Sequence, residues 1–126
     1  MTIIAAPSDD LIVGEESAFS VAACLFHGLG DPSRLAILRH LALGEHRVVE
    51  LTEHLGLAQS TVSKHLACLR DCGLVSSRPQ GRASMFSLTH REAMMAVFAA
   101  AERILELTGD AVILCPTSGQ RASREQ

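Results

Sequence analysis

Apolar residues recur every three or four positions in several stretches of the chain, as they do in helices that bury one face. This pattern predicts a first helix over 17–27 and a second helix from Asp31 to about Leu43. Asp31 suits the N-cap of that second helix, and Pro32 suits its first helical position. A longer apolar stripe predicts a last helix over 91–107. The predicted fold class is therefore mainly α.

The middle of the chain predicts two short helices joined by a tight turn. The first covers 49–55, the turn contains Gly56, and the second covers about 59–72. Two helices joined in this way form a helix-turn-helix, whose second helix enters the DNA major groove. The alternating segments 74–78 and 83–88 follow as the strands of a β-hairpin wing. The pattern thus predicts a winged helix-turn-helix that binds double-stranded DNA.

The second of these helices separates apolar from polar positions. Val62, Leu66 and Leu69 recur at helical spacing and are predicted to face the core. The positions left for DNA contacts are Gln59, Ser60, Thr61, Ser63, Lys64 and His65. Their amide, hydroxyl and charged groups suit base edges and phosphates. Arg78 and Arg82 flank the tip of the wing and are predicted to reach the DNA backbone or the minor groove.

The net charge of -3 would argue against DNA binding if it were spread evenly, because the phosphate backbone attracts Lys and Arg. The segment 59–91, however, carries five basic residues and one acidic residue. A basic face on an acidic body fits a DNA-binding module, although a solvated surface stretch has the same composition. No stretch approaches the roughly 20 apolar residues that cross a bilayer, and no nucleophile with a base and an oxyanion site is recognisable. We therefore predict a cytoplasmic protein that is not an enzyme.

Four cysteines in a chain without a recognisable export signal favour metal binding or redox chemistry over a structural disulfide. Cys68 and Cys72 lie four residues apart, so on a helix their Cβ atoms are about 5 to 6 Å apart. Two thiolates at that spacing can share a metal ion through bonds of about 2.3 Å, whereas a disulfide needs a Cβ distance of about 3.5 to 4.5 Å. Cys115 is predicted to supply a third sulfur from the C-terminal tail.

Each cysteine also has a plainer interpretation. Cys68 and Cys72 would serve as small buried hydrophobes, and Cys115 would be an exposed tail residue. Cys24 lies among alanine and leucine residues of the first helix, which favours core packing over a role as an auxiliary metal ligand. The histidines other than His65 show no recognisable ligand spacing and are predicted to be surface or capping residues; they are His27, His40, His46, His54 and His90.

Three segments of the chain resemble the ArsR/SmtB family of metalloregulators. They read GLGDPSRLAIL at 28–38, LGLAQSTVSKHL at 55–66 and LRDCGLV at 69–75, and the resemblance covers about 19–107. It implies a homodimeric repressor that pairs through its first and last helices and leaves its operator on binding an inducer. The residues that would form this dimer interface are Phe19, Phe26, Met94, Val97, Phe98, Ala101, Ile104 and Leu105.

The cysteine positions resemble the CmtR-type branch of that family, which responds to cadmium and lead. This resemblance implies that Cys68 and Cys72 join a cysteine from the C-terminal region, here Cys115, within one subunit or across the dimer. Soft sulfur ligands favour Cd(II), Pb(II) or As(III) over Ni(II) or Co(II), with Zn(II) as a weaker competitor. The Cys-x-Cys pattern of other members falls on 47–49, where this chain has no cysteine.

Two alternatives and a domain division complete the predictions. The same cysteines would also suit a thiol redox or persulfide switch. A protein of another class, a metal-buffering or protein-interaction module that does not bind DNA, would share the same fold. We expect a flexible N-terminal arm over 1–14, a DNA-binding and dimerisation domain over 15–109, and a tail over 110–126 that carries the candidate ligand.

Overall fold

The computed structural model describes residues 14–116, which form five helices and three short strands. Most of the predicted arm over 1–14 and the end of the predicted tail over 110–126 lie outside the described residues. The elements are α1 (Glu15–Leu29), α2 (Pro32–Leu41), β1 (His46–Arg47), α3 (Val48–Leu55), α4 (Gln59–Asp71), β2 (Val75–Gln80), β3 (Ala83–Leu88) and α5 (Arg91–Leu107). The predicted order of helices and hairpin is confirmed, and β1 is an element that the sequence pattern did not predict.

The helix ends follow local chemistry. The Asp31 carboxylate accepts hydrogen bonds from the backbone amides of Ser33 and Arg34 at 2.9 and 3.1 Å, so the predicted N-cap of α2 is confirmed. At the end of α4, Gly73 adopts a φ of 79°, a left-handed conformation that favours glycine. The amide of Leu74 then donates to the carbonyl of Leu69, which completes a Schellman motif and turns the chain into β2.

A single hydrophobic core joins the helix-turn-helix to α2, the wing and α5. Its members include fully buried Ile37, Leu38, Leu51, Val62 and Leu69. The predicted inward face of α4 is confirmed, because Val62, Leu66 and Leu69 are each at most 1% exposed. Burying side chains of this size contributes about 1.5 to 3 kcal/mol each, so this core holds α4 in a defined orientation.

The three strands form one antiparallel sheet in the order β1, β3, β2. In β1, His46 pairs with Phe86 and Arg47 pairs with Met85, while Arg78 of β2 pairs with Met85 from the other side. Gly81, with a φ of 63°, makes the turn between β2 and β3. The sheet therefore connects the start of α3 directly to the wing.

The last helix differs from the predicted dimer interface at two positions. Met94 and Phe98 are 5% and 2% exposed, because they point into the core of their own chain. The neighbouring stripe positions Val97, Ala101 and Leu105 are half-buried.

Among the described residues, no helix combines the length and hydropathy that crossing a membrane requires.

Candidate nucleic-acid interface and thiol cluster

The exposed face of α4 presents most of the predicted DNA-contacting side chains. Gln59, Ser60, Ser63 and Lys64 are exposed, and Thr61 is half-buried. They occupy the first turns of a helix whose opposite face is anchored in the core, so their Cα positions are well defined. This arrangement provides neutral hydrogen-bonding groups and one cation in the first turns of α4, the part of the helix that would enter a groove.

His65 lies apart from this exposed face. Its Nδ1 is 3.4 Å from the Arg34 guanidinium, its Nε2 is 3.6 Å from the Asp31 carboxylate, and its side chain is only 17% exposed. Arg34 also donates to the backbone carbonyls of His27 and Gly28 at 2.7 and 2.8 Å. Instead of pointing outward as predicted, His65 belongs to a polar network that joins α4 to the junction of α1 and α2.

The two wing arginines have different surroundings. Arg82 is exposed next to the Gly81 turn. Arg78 forms a bidentate ion pair with Glu45, with distances of 2.9 Å from Nε and 2.8 Å from Nη2 to the carboxylate oxygens. Hydrogen bonding from Arg78 lowers the pKa of Glu45, so the carboxylate stays ionised near neutral pH. Arg78 would therefore have to exchange this partner to contact a phosphate.

Cys24 of α1 lies against Cys72 at the end of α4, one helical turn after Cys68, and we call Cys24, Cys68 and Cys72 the thiol cluster. The Sγ atoms of Cys24 and Cys72 are 3.2 Å apart. Cys24 is exposed, because most of α1 lies on the surface of the chain. The prediction that Cys24 packs in the core is therefore wrong. Gly28 permits this close approach, since a Cβ at that position would lie 3.3 Å from the Cys72 sulfur.

Cys72 binds its thiol proton more tightly than an ordinary cysteine does. Hydrogen bonding with Cys24, then burial, then the charges of Cys24 and of Cys68 one helical turn earlier, together raise the pKa of Cys72 to about 11. Among residues 14–116, no third cysteine, histidine or carboxylate places a ligand atom within 4.8 Å of both the Cys24 and Cys72 sulfurs. The cluster is therefore a close pair with Cys68 beside it.

Cys115 is held against α5 of its own chain. The Glu102 carboxylate accepts hydrogen bonds from the amides of Leu114 and Cys115 at 2.6 and 2.7 Å. The Cys115 sulfur lies 3.9 Å from the Met95 carbonyl and packs against the core. Burial, followed by the charge of Glu102, raises the pKa of its thiol. Within the described part of one chain, Cys115 therefore does not join Cys68 and Cys72.

A second group of ligand-type side chains was missed by the sequence analysis. His40, His46 and His54, which we call the imidazole cluster, place one ring nitrogen each within 4.8 Å of the others. His40 lies in the last turn of α2, His46 lies in β1 and His54 lies in the last turn of α3. Their spacings of six and eight residues follow no single helix face or strand face, so only the packing of the three elements brings them together.

Known proteins share the helix-turn-helix part of this chain. Residues 31–77 match the family described as "Bacterial regulatory protein, arsR family". The chain is 44% identical over 66 residues to the "Probable mercury resistance operon repressor" of Streptomyces lividans, covering 52% of this chain and 53% of that protein. It is 45% identical over 69 residues to the "HTH-type transcriptional regulator CmtR" of Mycobacterium tuberculosis, covering 55% and 58%. The matched segment thus spans little more than half the length of these relatives.

A longer match and two solved structures extend the similarity over the whole domain. The "Biofilm growth-associated repressor" of Agrobacterium fabrum is 33% identical over 96 residues, covering 71% of this chain and 82% of that protein. A homodimeric winged helix-turn-helix domain from Mycobacterium bovis has a TM-score of 0.67 at 26% identity, covering 82% of this chain and 91% of the other. The cadmium metal-sensor CMTR from Mycobacterium tuberculosis has a TM-score of 0.52 at 41% identity, covering 60% and 78%. The winged helix-turn-helix prediction is confirmed, and the chain belongs to the arsR family of bacterial regulatory proteins.

Proposed function

We propose that this protein is a transcriptional repressor that binds operator DNA as a homodimer and dissociates when the thiol cluster captures a soft metal ion, Cd(II) or Pb(II). The observation that carries the proposal is the 3.2 Å approach of the Cys24 and Cys72 sulfurs at the end of the DNA-reading helix. Release would derepress metal resistance or efflux genes. The names of a mercury resistance operon repressor and a cadmium sensor among similar proteins support this proposal.

The DNA-binding part of the proposal rests on α4 and the wing. Gln59, Ser60, Thr61 and Ser63 would contact base edges or phosphates, and Lys64 would neutralise a phosphate. Arg82 would reach the backbone or minor groove from the tip of the wing. Arg78 would do so after leaving Glu45, while His65 would hold α4 against α2 rather than contact DNA.

The dimer part rests on apolar side chains that a single chain leaves in water. Phe19 and Phe26 of α1 are 67% and 64% exposed, and Ile104 of α5 is 60% exposed. Large apolar side chains exposed on α1 and α5 are typical of residues that a partner covers. A second copy of the chain would cover them, and one structural neighbour is described as homodimeric. We therefore keep these three residues in the proposed interface, with Val97, Ala101 and Leu105 at its edge.

The metal-binding part rests on sulfur chemistry and geometry. Across a tetrahedral ion, two sulfurs bonded at about 2.3 Å lie about 3.8 Å apart, so Cys24 and Cys72 need to separate only slightly. Cys68 would supply a further thiolate from the preceding turn. Cys115 would complete the site only from a partner subunit or after leaving Glu102. Thiolates without imidazole favour Cd(II), Pb(II) or As(III), with Zn(II) as a weaker competitor.

Release of DNA follows from the position of the thiol cluster. An ion held by Cys24 and Cys72 would tie α1 to the end of α4 and shift the helix that reads DNA. A coupling of about 1 to 3 kcal/mol would lower operator affinity about 5- to 150-fold. Because binding requires thiolates, it releases protons, and metal affinity is expected to fall as pH falls.

The decisive experiment measures operator release with Cd(II), Pb(II), Zn(II) and As(III) on the wild type and on four single variants. We expect Cys72→Ser to abolish the response and Cys68→Ser to weaken it strongly. The variant that loses more of its metal response, Cys24→Ser or Cys115→Ser, identifies the third sulfur. Ala23→Ser, on α1 next to Cys24, is the control. A full metal response in Cys72→Ser would contradict the proposal. If neither the wild type nor any variant binds DNA specifically, the result would favour a metal-buffering or protein-interaction module.

The same sulfur pair favours a second candidate function, a thiol redox switch. Hydrogen peroxide would oxidise Cys24 and Cys72 to a disulfide: the two thiols lose two protons and two electrons, which cleave the peroxide O–O bond and form two water molecules. Peptide mass spectrometry after peroxide treatment would detect a Cys24–Cys72 cross-link. Operator release by peroxide without metal, lost in Cys24→Ser, would favour this function over metal sensing.

A further inference from the structure

The imidazole cluster joins three elements that the thiol cluster does not touch. Its ring centroids lie 4.7 Å apart for His40 and His54, 5.5 Å for His40 and His46, and 5.6 Å for His46 and His54. No other group of three cysteine, histidine or carboxylate ligand atoms within 4.8 Å of one another occurs among residues 14–116. We propose that the imidazole cluster is a second metal site, which binds one borderline divalent transition-metal ion such as Zn(II) through three ring nitrogens.

The distances are close to those that such an ion requires. Zinc binds imidazole nitrogen at about 2.0 to 2.1 Å, which places two nitrogens of a tetrahedral site about 3.3 Å apart. The three nitrogens lie within 4.8 Å of one another, so a contraction of up to about 1.5 Å completes the site. His54 is exposed and the other two rings are half-buried, so side-chain rotation can provide this contraction without moving the core. A fourth position remains open to water.

The orientation of His46 matches that of a metal ligand. Its Nδ1 lies 2.8 Å from the backbone carbonyl of Gly44, to which it donates a hydrogen bond. This bond places the ring proton on Nδ1 and leaves the Nε2 lone pair available. Histidines that bind metals almost always have their second nitrogen held in this way by a carbonyl or carboxylate, which fixes the tautomer.

The electrostatic surroundings also favour a cation. His40 lies in the last turn of α2 and His54 in the last turn of α3, where the helix dipole carries partial negative charge. Hydrogen bonding from the Arg47 amide, then the charges of Arg47, His46 and His54, lower the pKa of the nearby Glu50 carboxylate. The cations of Arg39, beside His40, and of Arg47, which pairs with Glu50, oppose a metal ion. Burial, followed by the charges of His54 and His46, lowers the pKa of His40.

The ligand set distinguishes this site from the thiol cluster. Imidazole nitrogen suits Zn(II), Cu(II), Ni(II) and Co(II), whereas thiolates select softer ions. An ion at the imidazole cluster would also brace the start of the helix-turn-helix against the wing, because His46 pairs with Phe86 of β3. The second site would therefore hold together the DNA-binding surface, while the thiol cluster lies at the end of α4.

The test uses the full chain with Cys24, Cys68, Cys72 and Cys115 all replaced by serine, so that only nitrogen and oxygen ligands remain. Titration with Co(II) alone is followed through its visible d–d absorption, and Zn(II) is then added as a competitor. We expect one Co(II) per chain, displaced by Zn(II). His40→Asn and His54→Asn should each weaken binding at least about tenfold. His27→Asn, an exposed histidine outside the cluster, should leave binding unchanged.

Two results would overturn the site: no d–d absorption at saturating Co(II), or absorption that survives both His40→Asn and His54→Asn. Circular dichroism checks that the serine variant is folded. If it is not, the wild type is titrated with Zn(II) and its histidine ring signals are followed by NMR. Shifts at His40, His46 and His54 but not at His27 support the site, and unchanged rings in excess Zn(II) contradict it. Because this test needs no DNA and no thiol, its outcome is independent of the proposed repressor function.

Discussion

The thiol cluster and the imidazole cluster differ in how their ligands are brought together. Cys68 lies in α4, and Cys72, four residues later, is the C-cap of the same helix. Cys24 of α1 lies next to Cys72. The three imidazoles come from three elements and share no spacing. The proposed first site would use soft sulfur ligands next to the end of α4, and the proposed second site would use nitrogen ligands where the helix-turn-helix meets the wing. Under these proposals, ligand softness and location would give the two clusters different ions and different effects.

The largest expected effect is a reciprocal loss of metal binding in single variants. Cys72→Ser should weaken Cd(II) binding by at least about 100-fold, since loss of outer-shell partners alone costs 10- to 100-fold. The same variant should leave Co(II) binding at the imidazole cluster unchanged, and His54→Asn should show the opposite pattern. Ultraviolet thiolate-to-Cd(II) absorption and visible Co(II) absorption measure the two sites in one protein. Loss of both signals in either variant would show that the clusters form one site.

An intermediate effect concerns the protonation of the thiol cluster in the metal-free protein. With a pKa of about 11 instead of 9.0, Cys72 has about 100-fold less thiolate at neutral pH than an ordinary thiol. Its higher intrinsic nucleophilicity offsets about half of that difference on a logarithmic scale, so alkylation should be about tenfold slower. Cys24→Ala removes the largest cause and should lower the pKa and speed alkylation.

Peptide mass spectrometry after iodoacetamide treatment measures this rate at Cys72. The rate should rise about tenfold per pH unit from pH 7 to pH 10, because the raised pKa lies above that range. Ala23→Ser is the matched control on α1. An alkylation rate that levels off below pH 9, or that Cys24→Ala leaves unchanged, would argue against a close Cys24–Cys72 pair in solution.

The smallest expected effect links the imidazole cluster to the wing. Glu45 precedes His46 and holds Arg78 by two hydrogen bonds. Glu45→Gln removes a negative charge and frees Arg78 for a phosphate, so operator affinity should rise by about twofold to fivefold. The slope of log affinity against log salt should steepen by about one phosphate contact. Glu53→Gln on α3 removes the same charge at another exposed position and serves as the control. Equal effects of both variants would show that only net charge matters.

Local patterns in the sequence were sufficient for the helices and the hairpin. The apolar spacing of Val62, Leu66 and Leu69 predicted the buried face of α4, because a helix repeats its faces every three to four residues. Asp31 marked the start of α2 through hydrogen bonds that involve only neighbouring residues. Strand β1 was missed, since two residues are too short to show an alternating pattern and pair only with a distant strand.

The stripe on α5 shows where a local pattern stops being informative. Periodicity indicates that Met94, Phe98 and Ile104 lie on an apolar side of the helix, but not what each side chain packs against. Met94 and Phe98 fill the core of their own chain, whereas Ile104 remains exposed. A buried core and a dimer interface both require apolar residues, so composition alone does not separate them.

By itself, the sequence determined the order of elements, the two faces of α4 and the spacing of Cys68 and Cys72, because each depends on residues within one or two helical turns. The tertiary structure alone brought Cys24 to within 3.2 Å of Cys72, placed His65 between Asp31 and Arg34, and assembled the imidazole cluster. These contacts join residues about 6 to 50 positions apart. Their distances depend on how the helices pack on a shared core, and the spacing of residues along the chain does not predict that packing.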